Sequence, residues 1–126
     1  KLLRESDLAP DLIISSTAKR ARKTASKVAK KCEYQGVIEL TGELYLAPPQ
    51  SYLHVLRQVP DQYQRVMVVG HNPGLEELLS LLTGESTPLP TAALAQIELP
   101  VEAWQELNEE THGQLSDLWL PKELDE

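Results

Sequence analysis

The sequence predicts a three-layer α/β/α domain on a mostly parallel sheet, and three observations predict it. Arg65-Val66-Met67-Val68-Val69 is a continuous, largely β-branched run. Such runs mark strands covered on both faces, so a central parallel strand is expected at 65–69. It leads straight into Gly70-His71-Asn72-Pro73-Gly74, a strand-to-helix junction. Strand-like and helix-like segments alternate through most of the chain, and two alternating segments follow near its end.

The elements follow in order. Residues 1–8, Lys-Leu-Leu-Arg-Glu-Ser-Asp-Leu, read as the last turns of a helix. After Pro10, Leu-Ile-Ile-Ser gives a buried strand over about 12–15. Ser16 is a plausible N-cap for a helix over about 17–32. Ala18, Ala21, Ala25, Val28 and Cys32 recur on it at helical spacing, a narrow stripe of small residues that packs close to a sheet. Val37–Leu40 is a second strand, and Gly42 turns the chain. Pro48-Pro49 opens a helix carrying Tyr52, Leu53, Val55 and Leu56, which stops before Pro60. After the 65–69 strand a helix is expected over about 74–83, with Asn72 as N-cap, Pro73 at the first helical position and Gly84 past the end. Leu94–Leu99 and Gln114–Leu120 alternate as strands, with Trp104 on a short helix between them. No internal repeat or linker appears, so 1–126 reads as a single domain.

Composition bounds the function. The 126 residues are 41% hydrophobic and 25% charged, ordinary values for a globular domain. No apolar run reaches a membrane span, so no membrane partner is expected. Cys32 is the single cysteine, which excludes an internal disulfide framework and suits a reducing cytoplasm. His54, His71 and His112 with that cysteine lack metal-ligand spacing, so no metal and no cofactor is expected. The net charge of −7 hides an asymmetry: seven of twelve basic residues lie between Lys19 and Lys31, where no acid falls. Such a run usually makes a solvated helix face. A nucleic-acid-binding helix is the rival reading, and overall acidity with few aromatics counts against it.

Two junctions can carry chemistry. Arg20 falls in the first turn of a helix, beside Lys19 and Arg22. Cations there oppose the helix dipole, unless an anion site is being assembled. Lys19, Arg22 and Lys23 read as outward-facing; Arg20 is open between the two readings. His71 lies at a strand's carboxyl end just before a helix, the place where open α/β sheets bind ligands. A locally hydrogen-bonded His is the alternative. Gly70 permits close backbone approach. His54, mid-helix, and His112, in a polar loop, read as structural. Gly-rich dinucleotide and P-loop motifs, a G-x-S-x-G elbow and a clustered Asp pair are all absent. An anion site of this kind must neutralise charge with Arg, His and backbone N–H groups.

Ser15-Ser16-Thr17-Ala18-Lys19-Arg20-Ala21-Arg22-Lys23-Thr24-Ala25 resembles the Ser-Ser-Pro-x-x-Arg-Ala-x-Gln-Thr-Ala motif of the histidine phosphatase superfamily, the phosphoglycerate-mutase-like proteins. Val68–Gly74 is similar to that family's second-histidine motif. Glu43-Leu44-Tyr45 and Leu120-Pro121-Lys122-Glu123-Leu124 resemble its small phosphohistidine phosphatase branch. Thr17 and Lys23 depart from the usual Pro and Gln. The resemblance implies that Arg20 binds phosphate and that His71 is the second catalytic histidine. It places Glu43 where related enzymes keep a proton donor, an exposed turn carboxylate being the alternative. Asn72 would add a polar contact or cap the helix.

The family's nucleophile is a histidine in an Arg-His-Gly or Arg-His-Ala motif on its first strand. None of His54, His71 and His112 follows an Arg. That strand, its loop and most of a helix, about 35–40 residues of a βαβ unit, are therefore expected to precede Lys1. The strand is expected to lie between those ending at Ser15 and Val69, leaving a slot in the sheet. The function implied is a metal-independent cytoplasmic phosphatase working through a phosphohistidine intermediate. Its substrate would be a phosphorylated protein or a small phosphoester. A non-catalytic phosphate-binding module or pseudo-enzyme is the alternative.

Overall fold

The structure, a computed structural model, describes residues 10–86, 88 and 94–119. The expected segments 1–8 and 120–124 lie outside them. Strand β1 (Leu12–Ser16) is buried along its whole length. Helix α1 (Lys19–Lys31) follows, then β2 (Ile38–Thr41), a 3-10 turn at Gly42–Leu44, α2 (Pro49–Arg57), β3 (Val66–Val69) and α3 (Gly74–Thr83). Strand β4 (Leu94–Glu98), a 3-10 turn at Trp104–Glu106 and β5 (Gln114–Trp119) complete the order. Strands β2, β1 and β3 form a parallel sheet in that order, while β4 and β5 pair antiparallel.

Two expectations need correction. Among the described residues the central strand is β1; β3 lies at one side of the sheet and is half-buried throughout. Continuous apolar sequence signals that both faces are covered, and says nothing about whether both edges are paired. Nor is there a slot between β1 and β3. They pair directly, from Leu12 opposite Val66 to Ser15 opposite Val69. The Asp11 carboxylate fixes the register by accepting from the backbone N–H groups of Gln64 and Arg65, both at 2.9 Å. The Asp11 N–H donates to the Arg65 carbonyl at 2.8 Å.

Alternation along β1 assigns the layers. Leu12 and Ile14 join a core with Tyr52, Leu53 and Leu56 of α2 and Leu78 and Leu82 of α3. Ile13 and Ser15 project to the other face, where α1 buries Ala21 and Ala25. Alanines bring that helix close, as the narrow stripe predicts. Past α2, the chain is tied back by Arg57, which donates to the Leu107 carbonyl at 3.1 Å, and by the Trp104 indole, which donates to the Tyr63 carbonyl at 2.7 Å. Strand β5 joins the far end of α3 through the Gly113 N–H, which donates to the Leu82 carbonyl.

Helix starts also differ slightly from expectation. Helix α1 begins at Lys19 with Ala18 as N-cap. Ser16 stays extended, opposite Thr41, yet its hydroxyl still accepts from the Ala18 N–H at 3.2 Å. In α3 Pro73 takes the N-cap place, and the Asn72 side-chain oxygen accepts from Glu76 N–H at 3.3 Å.

Asp11→Ala should lower stability by about 1 kcal/mol, because both amides it serves can turn to water once it is gone. Urea unfolding checks this; an unmoved midpoint would mean the carboxylate does not hold the β1–β3 register.

Candidate active site

Parallel strands end together, and ligands of such sheets sit outside those ends. Every residue singled out from the sequence follows one of the three parallel strands. Arg20 comes after β1, Glu43 after β2, and His71 and Asn72 after β3. The sheet order therefore gathers at one edge residues that lie about fifty positions apart in the chain.

His71 is the most firmly held. Its N–H donates to the Tyr52 hydroxyl at 3.2 Å, and its carbonyl accepts from the Leu75 N–H at 3.0 Å. Its ring Nε2 lies 2.9 Å from the Ser16 Oγ. The Ser16 hydroxyl is wholly buried and already accepts from Ala18. It can still donate to a neutral Nε2 or accept from a protonated one. This partner accommodates either state of the imidazole, as an acid–base group requires. Tyr45 meets the same ring edge-on, with centroids 5.7 Å apart and planes at 80°.

Packing beneath His71 is tight. A Cβ on Gly70 would overlap the Tyr52 hydroxyl and lie 2.9 Å from its Cζ; one on Gly74 would overlap the Ala47 carbonyl oxygen. Only glycine lets β3 run into α3 over these neighbours. Burial pushes the Tyr52 phenol pKa up, partly offset by the hydrogen bond it accepts from His71. Next to Ala47, Leu46 holds a positive φ of 49°, which costs a non-glycine residue about 1–2 kcal/mol.

The other candidates are looser. Arg20 is exposed and makes no hydrogen bond or ion pair among the described residues. Glu43 is exposed, and its carboxylate lies 3.5 Å from His54 Nε2 on α2. The same His54 nitrogen lies 2.8 Å from Gln58 Nε2. Asn72 serves the start of α3. Sequence reading took His54 as structural, and it missed the ring partners Ser16 and Tyr45. Tyr52 read as core, which it is, but its hydroxyl also holds His71. A buried tyrosine needs a partner for that group, and this was the available signal. His112 is exposed near the far end of α3, away from the strand ends.

Comparisons with known proteins bear on this arrangement. No family model matches the sequence. An uncharacterised protein of Mycobacterium leprae is 26% identical over 119 residues, covering 86% of this chain and 71% of that protein. A structure from Agrobacterium tumefaciens, described as a phosphohistidine phosphatase SixA, superposes with a TM-score of 0.76 at 28% identity. It covers 95% of this chain and 73% of its own. The chain thus closely resembles, in structure, the SixA phosphohistidine phosphatases of the histidine phosphatase superfamily. Two further SixA structures share the histidine phosphatase fold at 20% identity. One, from Nakamurella multipartitia, has a TM-score of 0.79 and covers 95% of this chain and 76% of its own. The other, a protein histidine phosphatase complexed with tungstate, has a TM-score of 0.75 and covers 98% and 76%. Among the described residues no helix is long and apolar enough to cross a membrane.

Two outcomes follow from the packing under His71. Gly70→Ala should destabilise the protein by about 1–3 kcal/mol, since the buried Tyr52 ring has nowhere to move; a variant of native stability would show that it has. Tyr52→Phe should cost about 1–3 kcal/mol by leaving the His71 N–H unpaired. It should also change the alkaline limb of stability. A phenol raised in the folded state contributes stability that is whole below its unfolded pKa, near 10, and is lost as pH rises through the higher folded value. The gap between native protein and Tyr52→Phe should therefore narrow above about pH 10. A constant gap in chemical denaturation would count against the buried phenol.

Proposed function

We propose that this protein is a metal-independent phosphatase that acts through a phosphohistidine intermediate, with protein phosphohistidine as its substrate. The observation that carries the reading is the contact of His71 with Ser16 at the joined ends of β1 and β3. Helix α1, with Arg20 in its first turn, leaves from the same point. The description of the Agrobacterium tumefaciens structure, 28% identical, as a phosphohistidine phosphatase supports the same chemistry.

In this mechanism the Arg20 guanidinium grips the phosphoryl oxygens, for which its planar fork is suited. A histidine nitrogen outside these 126 residues attacks phosphorus in line, and the bond from phosphorus to the leaving group breaks. Glu43 supplies the proton that the leaving group needs. His71, already fixed by three hydrogen bonds, stabilises the charge spread over the transferring oxygens without reorganising. Water then attacks the phosphohistidine, giving a proton to the Glu43 carboxylate, so that phosphate is freed and both the nucleophile and Glu43 are restored. The Asn72 side-chain oxygen accepts from the Glu76 N–H and serves the start of α3, beside the phosphoryl site that His71 would stabilise.

The nucleophile's strand fits the edge of β3 opposite β1. Among the described residues no strand pairs there, and Val66 and Val68 pack against the core from a half-buried position. A parallel strand added at that edge would end beside His71. The domain thus reads as one to which an N-terminal strand is added, at the side of β3 and not in the slot first expected. The alternative, a phosphate-binding pseudo-enzyme, draws on the lack of an Arg-His pair in the sequence.

The 126-residue chain alone should show no phosphatase turnover. The protein carrying the nucleophile's strand should hydrolyse an aryl phosphate in the presence of a chelator. In that protein His71→Asn should lower kcat by about 10²–10⁴ with little change in melting temperature. Near-normal kcat in a folded His71→Asn protein would reduce His71 to a local structural residue, and a chelator-sensitive rate would overturn the metal-independent mechanism.

A further inference from the structure

The two helices that start at the candidate site are charged in opposite ways. Helix α3 opens with Glu76 and Glu77, as its dipole favours, whereas α1 has no acid in its first turn and opens with Lys19, Arg20 and Arg22. A phosphoryl site accounts for Arg20 alone. The rest of α1 continues the pattern: Lys19, Arg22, Lys23, Lys27, Lys30 and Lys31 are all exposed. Lys19, Lys23, Lys27 and Lys30 are spaced by four, four and three residues, one row on a helix surface. That row lies opposite the buried Ala21 and Ala25, so packing does not require it. No acid within α1 is available to pair along the helix. Beyond it only five basic residues face nineteen acids, so this row stands out on an otherwise acidic chain.

The row is also placed with respect to the site. It starts one turn from Ser16, whose hydroxyl touches His71, and runs along a helix about 20 Å long. Tyr45, whose ring meets the imidazole edge-on, and its chain neighbour Leu46 are 55% and 67% exposed, an apolar rim at the site. We infer that the outer face of α1 docks the acidic segment of a phosphorylated partner protein, whose modified side chain enters between Arg20 and His71 over the Tyr45–Leu46 rim. This rests on the phosphatase reading and adds the kind of partner. Lysines are compact point charges that do not select one planar geometry, which suits scattered Asp and Glu carboxylates. A long nucleic acid would overrun the helix onto acidic surface, and the chain has no Phe and few aromatics on which to stack bases.

The test uses the protein and two peptides bearing the same non-hydrolysable phosphohistidine analogue, one flanked by Asp and Glu, the other by Lys. Inorganic phosphate and a single-stranded oligonucleotide complete the set. The acidic peptide should bind at least about tenfold tighter at low salt, and that preference should collapse once salt screens the helix. The variant Lys30→Glu should weaken the preference, while at about 0.15 M salt its affinity for inorganic phosphate stays within about threefold, since Lys30 lies about 15 Å along the helix from Arg20, beyond the Debye length of about 8 Å. Equal binding of the two peptides would overturn the docking inference while leaving the phosphate site intact. Tighter binding of the oligonucleotide than of the acidic peptide would overturn it in favour of nucleic acid. Failure of inorganic phosphate to bind would sink the site reading and the inference together.

Discussion

Four residue pairs, Leu12–Ser15 against Val66–Val69, set the spacing on which the candidate site depends. Direct parallel pairing puts the end of β1 beside the end of β3, so a side chain just past each can reach the other. Ser16 and His71 do so across fifty-five positions of sequence. A strand inserted between them would move these groups apart by about 5 Å and abolish that contact. The same pairing makes β1 the central strand, and this explains its complete burial. Among the described residues it also leaves the other edge of β3 without a paired strand.

Around that pairing the packing is organised to hold one imidazole still. Tyr52 fills the space under Gly70 and serves the His71 backbone with its hydroxyl. Gly74 lies against Ala47, next to the strained Leu46. Backbone strain is stored where surrounding structure over-determines it, and here the surroundings are the segment that also presents Tyr45 to His71. By contrast, Arg20 and Glu43 are exposed on a helix turn and a 3-10 turn. Preorganisation at this edge is therefore uneven: one ring held by three hydrogen bonds, beside an exposed guanidinium and an exposed carboxylate.

Electrostatics follow the same division. The carboxylates of α3 complement its own dipole and support the helix that carries His71. The cations of α1 work against theirs, and positive potential from backbone and side chains adds at the strand ends. Local stability is given up there for a field that favours anions, in a protein whose remaining charge is negative.

The sequence by itself determined the elements. Periodicity located α1, α2, α3 and the five strands of the described residues within a few positions, because burial of one helix face or of both strand faces leaves its mark on every turn of the chain. It also put Arg20 and His71 just after strand ends, where the structure has them, since strand-to-helix junctions carry their own signals in Ser, Asn, Pro and Gly. What it did not determine was strand order. An apolar run reports covered faces, not paired edges, so β3 looked central and a slot looked plausible. Nor could it pair Ser16 with His71, Tyr45 with the same ring, or Glu43 with His54. Those contacts arise from which strands neighbour one another and how closely a helix lies on them. Such distances are fixed by the packing of side chains remote in sequence, and only the tertiary structure decides them.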